Sequence, residues 1–270
     1  MTLSGGRDLS VGRSPVSNLR SVLRAYGDGN LFGEPYGQGP VQVVWLHGWQ
    51  RRGRDFDACA SMLSDRGVSS VALDLPGFGS SPVPSKAGGA RFYAELVEPV
   101  VATIGEGPVL MVGHSFGGTV ATVLAARRSD LVRGLVVTGA PLLRRGSSTK
   151  SPLSYRAVRW LHQHGLISAE RIEASRQRHG SSDYRNAKGV MRDVLVISVN
   201  ESYDDELNHL VPPVTMLWGE RDYEVPVAIA QEASTLISAP HTLRVLAGVG
   251  HMVPTEAPDE LVRSVLEALE

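Results

Sequence analysis

Val109-Leu110-Met111-Val112-Gly113-His114-Ser115-Phe116-Gly117 is the stretch on which the fold turns. Its first four residues read as a strand, and residues 116–128 continue as a helix. Between them lies G-x-S-x-G. A sharp strand-to-helix turn suits this pattern, because the glycines leave room for a strained serine backbone and let strand and helix pack closely. Such a turn lifts the Ser115 hydroxyl above a sheet, near the positive end of the following helix. The pentapeptide alone also fits an ordinary turn with small residues, so the rest of the chain has to decide.

Working outward, short apolar runs alternate with longer amphipathic ones. Residues 41–46 form a β-branched strand that stops at His47-Gly48, and residues 55–65 have helical spacing. Residues 69–73 read as a strand ending in Asp74-Leu75-Pro76-Gly77-Phe78-Gly79-Ser80-Ser81. Residues 91–104 form a helix that Pro99 is expected to kink or break. Another strand covers 135–137. Near-continuous apolar strands separated by helices indicate a parallel sheet buried on both faces, and right-handed crossovers make it doubly wound.

The rhythm changes after Pro141. Residues 142–210 are polar, with helices expected at 155–164, 168–178 and 189–200. Strands return at 214–218 and 242–246, and a last helix starts near Pro258. Pro212-Pro213 marks the return. The expected division is therefore a core α/β domain over 1–141 and 212–270, with a helical insertion over 142–211.

Composition excludes several classes. With 42% hydrophobic and 20% charged residues, the 270-residue chain has the make-up of a soluble globular protein. A net charge of -1 gives no global attraction to nucleic acid or an anionic membrane. No run is long enough to span a bilayer, and residues 1–24 lack the apolar centre of a secretory signal. A single cysteine, Cys59, excludes an intrachain disulfide and suits a reducing cytoplasm. The histidines lack metal-ligand spacing; His162 and His164 face different sides of a helix. Nothing in the sequence specifies an oligomeric state.

Three further segments bear on Ser115. His47-Gly48-Trp49-Gln50 follows a neighbouring strand, where a loop can aim a main-chain N–H at an oxyanion. Gly219-Glu220-Arg221-Asp222 ends a later strand, and Gly248-Val249-Gly250-His251 ends the last. All lie past the carboxyl ends of parallel strands, where open α/β sheets place ligands. The order Ser115, Asp222, His251 is that of one class of serine hydrolase. Position favours Asp222 over Glu220 and Glu224, and His251 over His114 and His47. His114 reads as structural and His47 as ordering the oxyanion loop.

From about Val41 onward the chain resembles the α/β-hydrolase superfamily, in its capped serine-hydrolase branch. Residues 74–81 also look like that family's D-x-P-G-x-G-x-S segment, in which Asp74 holds a turn. The resemblance implies the α/β-hydrolase fold with an inserted helical cap and a Ser115-Asp222-His251 triad. It also implies main-chain oxyanion donors at Trp49 and Phe116, with Gln50 as a rival to Trp49. His251 takes the Ser115 proton, Asp222 fixes the imidazole tautomer, and water releases the acyl group. No metal or organic cofactor is needed. The substrate is expected to be a small carboxylic ester or related acyl compound. Carbon–carbon cleavage or elimination with the same triad, and a slow or non-catalytic ligand sensor, are the alternatives. Ser115 argues against the dehalogenase and epoxide-hydrolase branches, which carry aspartate there.

The cap segment 144–192 holds eleven Lys or Arg against three Asp or Glu, leaving the remainder of the chain at -9. One reading is a cap that draws in an anionic substrate. The favoured one is a solvated basic face balanced by Glu201, Asp204, Asp205 and Glu206 or by the acidic core. Tyr184, Arg185 and Lys188 are the cap candidates for substrate contact. Met191 and Met252, with Trp49 and Phe116, would form an apolar acyl pocket, or else serve as core or wall.

Overall fold

In the computed structural model, residues 22–144 and 182–270 are described. The expected helices at 155–164 and 168–178 lie outside them. Eight strands form one sheet: β1 (Arg24–Tyr26), β2 (Leu31–Tyr36), β3 (Val43–Leu46), β4 (Ser70–Asp74), β5 (Val109–His114), β6 (Val132–Thr138), β7 (Val214–Gly219) and β8 (His241–Leu246). Their spatial order is β1-β2-β4-β3-β5-β6-β7-β8. The first two pairings are antiparallel and all others parallel.

Alternation along the central strands explains why both faces are covered. Val44 and Leu46 of β3, with Met111, Val137 and Met216, face the layer of α2 (Ala90–Ile104) and α3 (Phe116–Arg127). Val43 and Trp45, with Leu110, Val112, Val136 and Leu217, face the opposite layer. That layer is α1 (Asp57–Ser64) and the C-terminal helix, here α9 (Pro258–Leu269), packed through Leu63, Leu261 and Val265. Each such buried aliphatic side chain contributes about 1.5–3 kcal/mol, which is why the strands read as continuous apolar runs.

Pro99 neither ends nor divides α2, contrary to expectation. It lies on an exposed face, while Val97, Val100 and Val101 anchor the helix in the core. The main-chain acceptor that proline leaves without a partner can bond water there. The β1–β2 hairpin was not anticipated either. Gly33, Glu34 and Pro35 hide the strand in β2, although Gly27-Asp28-Gly29 at its turn all have positive φ.

The described part of the expected insertion contains α4 (Ser182–Asn186), α5 (Val190–Ser198) and α6 (Asp204–Asn208). Its two ends are stitched side by side: Tyr203 N donates to Leu142 O at 3.0 Å and Arg144 N to Ser202 Oγ at 3.1 Å. Two of the four acids expected to balance the basic cap, Glu201 and Glu206, have partners in the core. Arg91 of α2 pairs with Glu206 at 2.6 Å and with Glu201 at 3.8 Å. Glu201 also accepts from Ala90 N at 2.8 Å, capping α2. The return of the insertion is thus bound to the core by groups that the sequence reading assigned to the cap.

Two helices complete the sheet's far end, α7 (Val227–Ser234) and the short α8 (Val253–Glu256).

Candidate active site

Ser115 sits between β5 and α3 at φ 50° and ψ −120°, a conformation that costs a non-glycine residue about 1–3 kcal/mol. Its neighbours hold it there. Ser115 N donates to Thr138 O at 2.8 Å, and Ser115 O accepts from Gly118 N at 2.9 Å and Thr119 N at 3.2 Å. A Cβ on Gly117 would lie 2.2 Å from Leu46 O, and one on Gly113 2.5 Å from Gly117 O. Gly117→Ala should therefore destabilise the fold by at least about 1–3 kcal/mol, read as a lower urea midpoint. An unchanged midpoint would mean that the turn is not under this constraint.

Asp222 and His251 reach the same end of the sheet through the loops after β7 and β8. Those loops press together: a Cβ on Gly219 would lie 2.0 Å from Gly250 O, and Arg221 N donates to Val249 O at 2.8 Å. His251 Nδ1 meets Asp222 Oδ2 at 2.8 Å. The other Asp222 oxygen accepts from Glu224 N at 3.0 Å and Val225 N at 2.8 Å. Trp218 Nε1 donates to Val225 O at 2.9 Å and ties this loop to the core. Burial alone lowers the His251 pKa. The Asp222 hydrogen bond and charge, with Glu224 and Glu256, outweigh it and leave the imidazole above its ordinary value.

The rivals are separated by these contacts. Glu220 accepts from Gly248 N at 2.8 Å and so braces the loop after β8. Glu224 lies at the opposite ring nitrogen, 3.6 Å from Nε2. His114 Nδ1 and Thr138 Oγ1 are 2.9 Å apart, and the His114 ring packs on His251 with centroids 4.8 Å apart. Burial, reinforced by His251, pushes its pKa down to about 3, so it is a neutral support. His47 donates from Nδ1 to Gly48 O at 2.7 Å and accepts from Leu75 N at Nε2, 2.9 Å. Those two bonds fix one neutral tautomer, and burial lowers its pKa.

Gly48 adjoins Ser115: a Cβ there would lie 3.2 Å from Ser115 Cβ. Gly139, following Thr138, adjoins the other pair: a Cβ there would lie 2.9 Å from His251 Cε1 and 3.2 Å from Asp222 Oδ2. Ser115, Asp222 and His251 therefore converge at the carboxyl ends of β5, β6 and β7. Among the described residues, none is a hydrogen-bond partner of Ser115 Oγ, and the main-chain N–H groups of Trp49 and Phe116 have no partner either. Asp74 accepts from Gly53 N at 2.7 Å and Ser80 N at 2.8 Å, holding its turn.

The apolar wall is continuous. Trp49 meets Phe78 and Phe116 edge-on at 4.9 and 5.7 Å, and Tyr93 meets Phe116 at 4.9 Å. Met191 Sδ lies 3.8 Å from Tyr93 Oη and covers Gly77, so it joins this wall. Met252 follows His251, and its N–H donates to Glu256 Oε1 at 3.0 Å. Tyr184 carries the Arg192 guanidinium over its ring, while Arg185 and Lys188 are exposed. Seven of the eleven cap cations lie outside the described residues. Glu256 was missed by the sequence reading. Its carboxylate accepts from Gly250 N at 2.7 Å and from Met252 N, clamping the chain on both sides of His251. An acid in the short helix just past His251 was the available signal. No group of three or more His, Cys, Asp or Glu that could hold a metal occurs among the described residues.

Sheet order, elbow and converging loops together define an α/β hydrolase. The Alpha/beta hydrolase family model matches residues 43–264, and the chain belongs to that family. Over 146 residues it is 36% identical to a pimeloyl-(acyl-carrier protein) methyl ester esterase of Chromobacterium violaceum, a match covering 54% of this chain and 51% of that protein. The match thus spans about half the length of that relative. Lipase LipV of Mycobacterium tuberculosis is 26% identical, with 89% of this chain and 98% of that one covered. Among solved structures, an esterase from Exiguobacterium antarcticum superposes with a TM-score of 0.70 at 18% identity, covering 92% and 99% of the two chains. The chain has the fold of this family and is similar to proteins named as esterases and lipases. Among its described residues no helix is long and apolar enough to cross a membrane.

Proposed function

We propose that the protein is a serine hydrolase of small carboxylic esters or related acyl compounds, acting through Ser115, Asp222 and His251. The observation that carries this reading is the strained Ser115 turn meeting a His251 whose Nδ1 is held by a buried carboxylate. Esterase-like relatives support the same reaction class.

In this mechanism Nε2 takes the Ser115 proton as Oγ attacks the acyl carbon. The main-chain N–H groups of Trp49 and Phe116 hold the oxyanion, and each such donor is worth about 10²–10³ in rate. As the carbon–oxygen bond breaks, Nε2–H protonates the leaving alkoxide. Water then gives a proton to Nε2 and attacks the acyl-enzyme, and that proton returns to Ser115 Oγ as the acid departs. The serine–histidine hydrogen bond forms once substrate orders the hydroxyl. The wall of Trp49, Phe116, Tyr93 and Met191 receives an apolar acyl group. Met191 brings the described part of the insertion to this wall, and the single buried Cys59 fits a reducing cytoplasm.

A fluorophosphonate probe tests the reading: an adduct on Ser115, located by mass spectrometry, is expected, together with turnover in a panel of neutral esters. An unlabelled Ser115 in folded protein would remove the proposal. A pH profile supplies a second check. His251 must be neutral to act as base, and its pKa is raised. Activity should therefore fall on acidification through a pH above the ordinary imidazole value of about 6.5. An acid limb below that value would contradict the Asp222 pairing.

A further inference from the structure

Two carboxylates approach the His251 ring, one at each nitrogen. Asp222 holds Nδ1 at 2.8 Å with a fully buried side chain, while Glu224 Oε2 lies 3.6 Å from Nε2 with its side chain 73% exposed. Among the described residues, the other charged groups around the ring are committed. Asp222 accepts from Glu224 N and Val225 N, and Glu256 accepts from Gly250 N and Met252 N. His114 is neutral. Among those residues Glu224 is the solvent-facing negative charge at the ring atom that faces the chemistry.

That atom is where the leaving group goes. In the serine hydrolase reading, on which this inference rests, Nε2–H protonates the departing oxygen. A fixed charge within 4 Å of Nε2 is therefore beside the leaving portion of the substrate. We infer that Glu224 sets the charge preference there: esters whose alcohol portion carries a cation are favoured, and those whose alcohol portion carries an anion are disfavoured. The acyl portion lies against the apolar wall and is not governed by this contact.

Exposure limits the size of the effect. Water screens a carboxylate at the mouth, so one such pairing is worth a factor of about 2 to 5. The contributions to a cationic and an anionic ester have opposite sign, and their ratio moves by about tenfold.

The test uses three esters of one acyl group, chosen from the neutral panel: the choline ester, its neutral 3,3-dimethylbutyl isostere and the 3-sulfopropyl ester. At low ionic strength the expected order of kcat/KM is choline, then neutral, then sulfopropyl. Glu224→Gln should lower the choline-to-sulfopropyl ratio about tenfold, chiefly through KM, and Glu224→Lys should invert it. Salt at about 0.5 M should collapse the wild-type ratio, because the Debye length falls to a few ångströms. A ratio unchanged by Glu224→Gln, in protein whose Ser115 still takes the fluorophosphonate, overturns the Glu224 assignment alone. Failure of Ser115 to label in the wild type overturns the hydrolase reading instead.

Discussion

Ser115→Ala should lower kcat by about 10⁶-fold while leaving the fold intact, because removing the nucleophile of a triad costs nearly as much as removing the whole triad. Alanine keeps the Cβ, so the strained backbone at φ 50° and its bonds to Thr138 O and Gly118 N are unaffected. The denaturation midpoint should match that of the wild type, and the fluorophosphonate adduct should vanish. Turnover near the wild-type rate would take Ser115 out of the mechanism, whatever the geometry around it.

Asp222→Asn is the second large effect, and the structure specifies how it arises. One Asp222 oxygen accepts two main-chain N–H bonds, from Glu224 and Val225. In the variant the amide oxygen stays on those donors, since turning its NH₂ toward them would set donor against donor. The NH₂ group therefore faces His251 Nδ1 and donates to it. The ring is driven to the tautomer protonated at Nε2, which cannot accept the serine proton. A loss of about 10⁴-fold in kcat at neutral pH is expected, with little change in KM. A loss smaller than tenfold would show that Asp222 does not set the tautomer.

The sequence carried the site further than is usual because its signals are local. The elbow is one pentapeptide, and the steric demands on Gly113 and Gly117 arise within the same turn. Each candidate residue also lies just beyond a strand that reads as one, and parallel strands deliver their carboxyl ends to a common edge. The β1–β2 hairpin was less legible. Glu34 and Pro35 break the apolar pattern, and β2 becomes a strand through its antiparallel pairing with β4, nearly forty residues away. Pro99 misled for a related reason: propensity speaks to one turn of helix, whereas α2 is held by its buried face.

By itself, then, the sequence determined the α/β class, the core strands, the elbow and the positions of Ser115, Asp222 and His251 just past strand ends. Those follow from periodicity and short turns, which act over a few residues. Only the tertiary structure decided which carboxylate meets which ring nitrogen. Glu220, Asp222 and Glu224 lie within one short loop and carry the same charge, yet one braces Gly248, one holds Nδ1 and one faces Nε2. Glu201 and Glu206 likewise bind Arg91 of the core, although their position in the chain assigned them to the cap. Such choices depend on how loops distant in sequence dock at the sheet edge, and only there do burial and hydrogen-bond geometry distinguish chemically equivalent groups.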